Sequence, residues 1–373
     1  AAPLSTSSLA AVRLFGTGNI LLDASGALTV NADVASGSGD ITLIGTSGVS
    51  LASSVTVQTS LAGTIDVSSS AGGLTMATDS SITALDGDVV VETSADVRVA
   101  GITTNADVSL TSTAGSILDN QADRINVSAS SLRFDANAGF GASSNAFDTQ
   151  VGTVAGRTID GAVFLQDSAD DLIIGSTQAS SEVVAADSSI TVNAVAPLSG
   201  IVTGGADGSI VVTQTTGSIN SIAAVSAAGS GNILLDASGA LALNADVSSG
   251  SGNITLVAGN GLSIASGVST ITGAGDIFMD AGIGALLQSS TSTTAAGENV
   301  RLVATGDVTV AEVIADKISV LSSANIITAP GASLNLSASA LRLDAGQAIG
   351  TGTDPLTLSV SELSAVANSG GIF

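Results

Sequence analysis

The stretch "GNILLDASGALTVNADVASGSGDITL", Gly18 to Leu43, returns 213 positions later as "GNILLDASGALALNADVSSGSGNITL", Gly231 to Leu256, with four changes. Self-similarity of this kind is the signature of a repeat architecture, and it has to be understood before any residue is assigned to a site. The correspondence extends further. "GDVVVETSADVRVAGI" from Gly87 resembles "ENVRLVATGDVTVAEV" from Glu298, and "INVSASSLRFDANAG" from Ile125 resembles "LNLSASALRLDAGQA" from Leu334. A unit of roughly 210 residues therefore recurs. The expected organisation is one continuous segment over residues 1–373, with a first partial copy at 16–164, a less regular connecting part at 165–228 and a second partial copy at 229–373. Val163 and Phe164 align with Ile372 and Phe373, so the chain reads as a window about one and three quarters units long on a longer repetitive protein.

Inside the unit lies a shorter beat. Phrases of the type Gly-polar-Ile/Val-x-Leu/Val begin at Gly18, Gly39, Gly63 and Gly87, and again at Gly231, Gly252, Gly275 and Gly297, in steps of roughly 21 to 24 residues. Each step holds two or three short runs with apolar residues at alternate positions, the pattern of a strand with one buried face. Between the runs sit Asp23 to Gly26, Ser36 to Gly39 and Thr46 to Gly48, residues suited to tight corners. Helix is disfavoured, because β-branched residues and Gly recur and no apolar stripe keeps helical spacing. The pattern predicts an all-β fold, a right-handed parallel β-solenoid with coils of roughly 21 to 24 residues, drawn out into an elongated rod. About 17 coils stacked at roughly 4.8 Å would give a length of about 80 Å. The expected core is Ile20, Leu22, Leu28, Val30, Ile41 and Leu43 in the first copy, with Ile233, Leu235, Leu241, Leu243, Ile254 and Leu256 in the second. Asp23 and Asp236 are expected at corners.

Composition narrows the function. Seven Phe are the whole aromatic content, so the core must be narrow and regular, with little material for an aromatic-lined pocket. A formal charge of −24 repels polyanions, which disfavours nucleic acid as a partner. No apolar stretch approaches the roughly 20 residues of a membrane-spanning helix. Cysteine is absent, which removes disulfides and thiolate metal sites.

The phrases "GNILLDASGAL", "GDITLIGTSGVSL", "ADVSLTSTAGSI" and "DLIIGS" resemble the repeat regions of large secreted bacterial proteins of the filamentous haemagglutinin type. That resemblance covers nearly the whole chain. It implies an extracellular or cell-surface fibre carrying attachment or cell-to-cell linkage, with partners that are the chain itself, neighbouring repeats, cell-surface glycans or other cells. The family's amino-terminal secretion domain and distal binding domains are not visible, so adhesive specificity is carried to no residue.

Possible chemistry is sparse. With no His, a Ser-His-Asp triad or a histidine metal site cannot be built. Asp167, Asp170 and Asp171 form the closest acidic cluster, with Phe164 and Arg157 as neighbours. Two carboxylates can act as acid and base on a glycosidic bond, so the alternative function is a polysaccharide-binding or polysaccharide-cleaving β-helix; the preferred reading is non-enzymatic, with no cofactor. "GGADGS", Gly204 to Ser209, is similar to one fragment of a calcium-binding nonapeptide but stands alone, and reads as a turn. Asp23, Asp33, Asp236 and Asp246 are candidate oxygen ligands for occasional Ca²⁺, set against ordinary turn chemistry. Arg133 and Arg342 each precede an Asp by two residues and read as local ion pairs, worth about 0 to 1 kcal/mol if exposed. Phe140 and Phe147 interrupt the beat and read as filling a wider coil rather than forming an exposed patch.

Overall fold

The computed structural model describes residues 11–121 and 124–373; residues 1–10 and 122–123 of the expected continuous segment lie outside them. Every regular element among the described residues is a strand, and parallel coils stack into a β-solenoid of about 15 turns. That is fewer than the expected 17, because part of the chain runs outside the coils as an antiparallel hairpin, Ser180–Val184 with Ile190–Ala194. The chain forms two compact units, one of Ala1–Ser168 with Gly175–Ser199 and the other of Ala169–Ile174 with Gly200–Phe373.

In the first unit each coil contributes strands to three walls. The first wall holds Ile20–Ala24, Ile41–Gly45, Ile65–Ser69, Val89–Thr93 and Asp107–Ser112. The second begins with Leu28–Val30 and Val49–Leu51, the third with Val12–Arg13, Val34–Ser36 and Thr56–Thr59. Register is strict: Ile20, Ile41, Ile65, Val89, Val108 and Leu132 are successive partners in one column. In the second unit the equivalent column runs Ile210, Ile233, Ile254, Ile277, Val300, Ile318 and Leu341. A one-residue slip would turn every apolar side chain outward, so the alternating pattern itself fixes this register.

Of the expected core, all but Leu22 are buried, from 4% exposure at Ile20 down to 0% at Ile41, Leu43, Leu235, Leu241, Ile254 and Leu256. Leu22 is only half-buried. Its strand pairs, among the described residues, with Ile41–Gly45 on one side, whereas Leu235 lies between Val212 and Leu256. Asp23 and Asp236 are not at corners. Each occupies the outward fourth position of a five-residue strand whose fifth residue, Ala24 or Ala237, points into the core. Alternation continues through the Asp, and the corner begins one residue after the Ala.

The phrase-opening glycines have a steric cause. A Cβ on Gly252 would lie 2.2 Å from the Gly231 carbonyl oxygen, and one on Gly87 would lie 2.1 Å from that of Gly63, distances no real Cβ tolerates. Glycine therefore stacks on glycine at this corner, and the polar residue that follows ties the coils together. Asn232 Oδ1 accepts the Asn253 N–H at 2.8 Å, Asn253 Oδ1 accepts that of Asp276 at 2.9 Å, and Asp276 Oδ1 that of Asn299 at 3.0 Å. A hydroxyl ladder accompanies it, as Ser249 donates to the Gly231 carbonyl at 2.8 Å while accepting the Gly252 N–H at 2.9 Å.

The inserted Phe residues lie inside. Phe134, Phe140 and Phe147 are fully buried and form a stack with ring centroids 4.0 and 4.5 Å apart. Phe134 fits because its column neighbour is Gly156, where an added Cβ would meet the ring at 2.4 Å.

The two copies offer an internal control on burial. Leu235→Asp places a charge in a fully enclosed column and is expected to cost several kcal/mol. Leu22→Asp, at the half-buried equivalent, should cost less than half as much. Chemical denaturation of the two variants checks this; equal losses would contradict the burial pattern.

Candidate functional site

The most developed side-chain constellation lies on the outer surface of the first wall of the first unit, where the hairpin covers it. The turn of that hairpin carries Asp187 and Ser189, whose N–H donates to the Asp187 carboxylate at 3.0 Å. Val195 N–H donates to the Ala179 carbonyl at 3.1 Å and Ala185 N–H to that of Ser189 at 2.9 Å. Antiparallel alternation then leaves the N–H groups of Ser180, Glu182 and Val184 directed away from the partner strand. These three meet side chains of successive coils: Asp88 Oδ2 at 2.7 Å, Thr64 Oγ1 at 2.7 Å and Thr42 Oγ1 at 2.9 Å. The arm thus crosses the coils, taking one acceptor from each.

Beneath it the polar groups are buried and paired. Ser181 donates to Asp66 Oδ2 at 2.7 Å, and Asn193 Nδ2 donates to Glu92 Oε2 at 3.1 Å. Val90, Ala179 and Val195 close a small apolar cluster beside them. Arg133, 4% exposed, donates from Nε to the Ala196 carbonyl at 2.8 Å, from Nη1 to Thr111 Oγ1 at 3.1 Å and to Ser109 Oγ at 3.3 Å, and from Nη2 to Asp135 at 3.2 Å. Asp135 also receives Arg157 bidentately, at 2.9 and 3.0 Å.

The electrostatics follow from this burial. Desolvation pushes the Asp66 carboxyl above its ordinary value of 3.8; the hydrogen bonds from Ser181 and Asn193 oppose the rise and Glu92 adds to it. The Glu182 carboxyl is raised by its hydrogen bond to, and the charge of, Asp40. Burial lowers the Arg133 guanidinium, while Asp135 acts in the opposite direction.

The residues singled out in the sequence are placed as follows. Asp167 is fully buried, accepting from Thr149 Oγ1 at 2.7 Å and Val151 N–H at 3.0 Å. Asp170 is exposed, and Asp171 caps the Ser218 N–H at 2.9 Å. Arg157, expected beside this acidic cluster, instead pairs with Asp135, a partner supplied by the preceding coil. Asp33 and Asp246 do sit at corners, where their carboxylates accept the N–H groups of Thr56 at 3.1 Å and Ser269 at 2.8 Å. Asp23 and Asp236 lie on strands, apart from these corners, and no group of three or more acidic residues suited to a metal ion occurs among the described residues. The "GGADGS" corner bonds to the next coil, Asp207 accepting from the Ser230 hydroxyl and Ser209 Oγ from the Asn232 N–H. Arg342 with Asp344 forms the expected exposed pair at 3.0 Å. Arg133 forms the expected pair with Asp135 as well, at 3.2 Å, but there the motif is buried, because the arm lies over it.

Comparison with known proteins finds no matching family model, no similar curated protein and no similar solved structure.

Two outcomes are expected. Arg133→Ala leaves the Ala196 carbonyl and the groups beneath the arm without their donor and should cost about 1–3 kcal/mol, against about 0–1 kcal/mol for Arg342→Ala at its exposed equivalent; thermal unfolding of both checks the difference. The second concerns pH. Because the Asp66 pKa is raised in the folded state, its contribution to arm docking is full below 3.8 and is lost as pH rises through the raised value. Hydrogen-exchange protection factors at Ser180, Glu182 and Val184 should therefore increase on acidification from neutrality, and Asp66→Asn should raise them at neutral pH and flatten the dependence. Protection that falls on mild acidification would exclude this account.

Proposed function

We propose that the chain is a non-enzymatic structural module of an acidic extracellular bacterial fibre of the filamentous haemagglutinin type, serving attachment or cell-to-cell linkage. The observation that supports this reading best is how the polar side chains are used. At the corners Asn, Asp, Ser and Thr accept or donate to the next coil, at Asn232, Asn253, Asp276 and Ser249 in the second unit and at Asn19, Asp40 and Asp88 in the first. The carboxylates, amides and hydroxyls named at these corners are engaged in joining one coil to the next. The same corner chemistry accommodates any number of further coils, which suits a module whose product is length. The high negative charge keeps fibres soluble and apart.

Immunogold electron microscopy with antibodies to the folded chain, on intact cells that produce it, is expected to label filaments outside the cell envelope. Label confined to the cell interior would overturn the reading. A screen of glycan hydrolysis with the Asp170→Asn and Asp171→Asn variants tests the competing enzymatic reading, which requires turnover that those changes remove.

A further inference from the structure

The two units carry the same wall, and among the described residues the arm's hydrogen bonds fasten it to that of the first. Register gives the equivalences: Asp66 follows Ile65 as Phe278 follows Ile277, and Arg133 follows Leu132 as Arg342 follows Leu341. In the first unit the wall offers acceptors to the arm, from Thr42, Thr64 and Asp88. In the second unit Thr255 and Asp276 keep two of these acceptor positions, while the wall beside them gains donors. Asn299 stands where Asp88 does, Arg301 where Val90 does, and Lys317 where Asp107 does. Arg301, Lys317 and Arg342 are all the cations of the second unit, and they occupy neighbouring strands of one wall in a chain of net charge −24. Among the described residues Arg301 and Lys317 have no ion pair; Arg301 lies 5.7 Å from the Phe278 ring, and exposed Leu321 adjoins the patch.

Among the described residues the second edge of the arm takes no strand partner. Since Ser180, Glu182 and Val184 point their N–H groups at the first unit, their partners Val192 and Ile190, with Ala194, point their backbone groups the other way. Val192 is 63% exposed and Ile190 46%. The arm carries Glu182 and Asp187 and no cation. Strand edges of this kind recruit partners, and Arg133 already shows what a wall arginine does with the arm's backbone: it takes the Ala196 carbonyl at 2.8 Å.

We propose that the uncovered wall of the second unit, around Arg301, Lys317 and Arg342, docks a second copy of this chain through the free Ile190–Ala194 edge of that copy's arm. Cationic donors on the wall meet edge carbonyls and an acidic arm, and Val192 and Ile190 lie against Phe278 and Leu321. The contact is heterologous: each docked pair leaves one arm and one wall free, so association continues from copy to copy. This deepens the fibre reading by naming the surface through which copies join.

Sedimentation velocity of the whole chain at about 0.15 M salt, where the net repulsion is screened beyond roughly 8 Å, tests it with two variants. Arg301→Glu with Lys317→Glu reverses the wall. Ile190→Ser with Val192→Ser removes the apolar contacts of the docking edge at two exposed positions and leaves the backbone pairing of the hairpin unchanged. Wild type is expected to self-associate, and each variant to lose at least about tenfold in association constant. The two variants mixed should form a 1:1 dimer, since one retains its arm and the other its wall; misfolded variants could not do this. Association unchanged in both variants would overturn the proposal while leaving the fibre reading standing, as copies would then join elsewhere. A wild type that stays monomeric at all concentrations would overturn it too, and the cell-surface labelling would decide the fibre reading separately.

Discussion

Every residue of a coil has to coexist with its own counterpart one strand spacing away, roughly 4.8 Å. That constraint decides which side chains occur where. Ile and Val stack on one another at no cost, so the column from Ile20 to Val108 can be monotonous. Glycine is required wherever a carbonyl of the neighbouring coil occupies the Cβ position, as Gly231 does for Gly252. Carboxylates stack badly. In the second unit the corner ladder runs Asn232, Asn253, Asp276 and Asn299, so the charge is flanked by amides. Where Asp88 is followed directly by Asp107 in the first unit, the Asp107 carboxyl is raised, by burial first and by the charge of Asp88 as well.

Because stacking rewards sameness, most of the fold was legible in the sequence. The coil beat, the alternating strands and eleven of the twelve proposed core residues follow from apolar periodicity and from the glycines that interrupt it. The errors are local. Asp23 and Asp236 look like turn residues because Asp-Ala-Ser-Gly is turn-rich text, yet alternation carries the strand through them to a buried Ala. Leu22 and Leu235 are identical in sequence context and differ in burial where, among the described residues, only Leu235 has paired strands on both sides.

The candidate site was much less legible. A repeat announces contacts between equivalent residues about 22 positions apart, whereas the arm joins Ser181 to Asp66 over 115 positions and Val184 to Thr42 over 142. Nothing in the local pattern of Asp66 or Arg133 distinguishes them from outward residues elsewhere. One signal was present: the beat fails after Gly175, and two β-branched runs there flank Asp187 to Ser189, which is the text of a hairpin. Identical Arg-x-Asp motifs then acquire different environments, buried at Arg133 and exposed at Arg342, through a segment distant in sequence.

The way the arm crosses the first unit has a mechanical meaning. Bonds between successive coils act in series, so a pull along the stack is resisted only by the weakest junction, which can open before its neighbours have yielded. Ser180, Glu182 and Val184 are fastened to three different coils by one continuous strand, with Arg133 gripping the far end at Ala196. Those junctions are thereby bridged in parallel. Opening any one of them requires the strand to shear from its fastenings, so tension that would peel a bare stack coil by coil is shared across the length the arm spans.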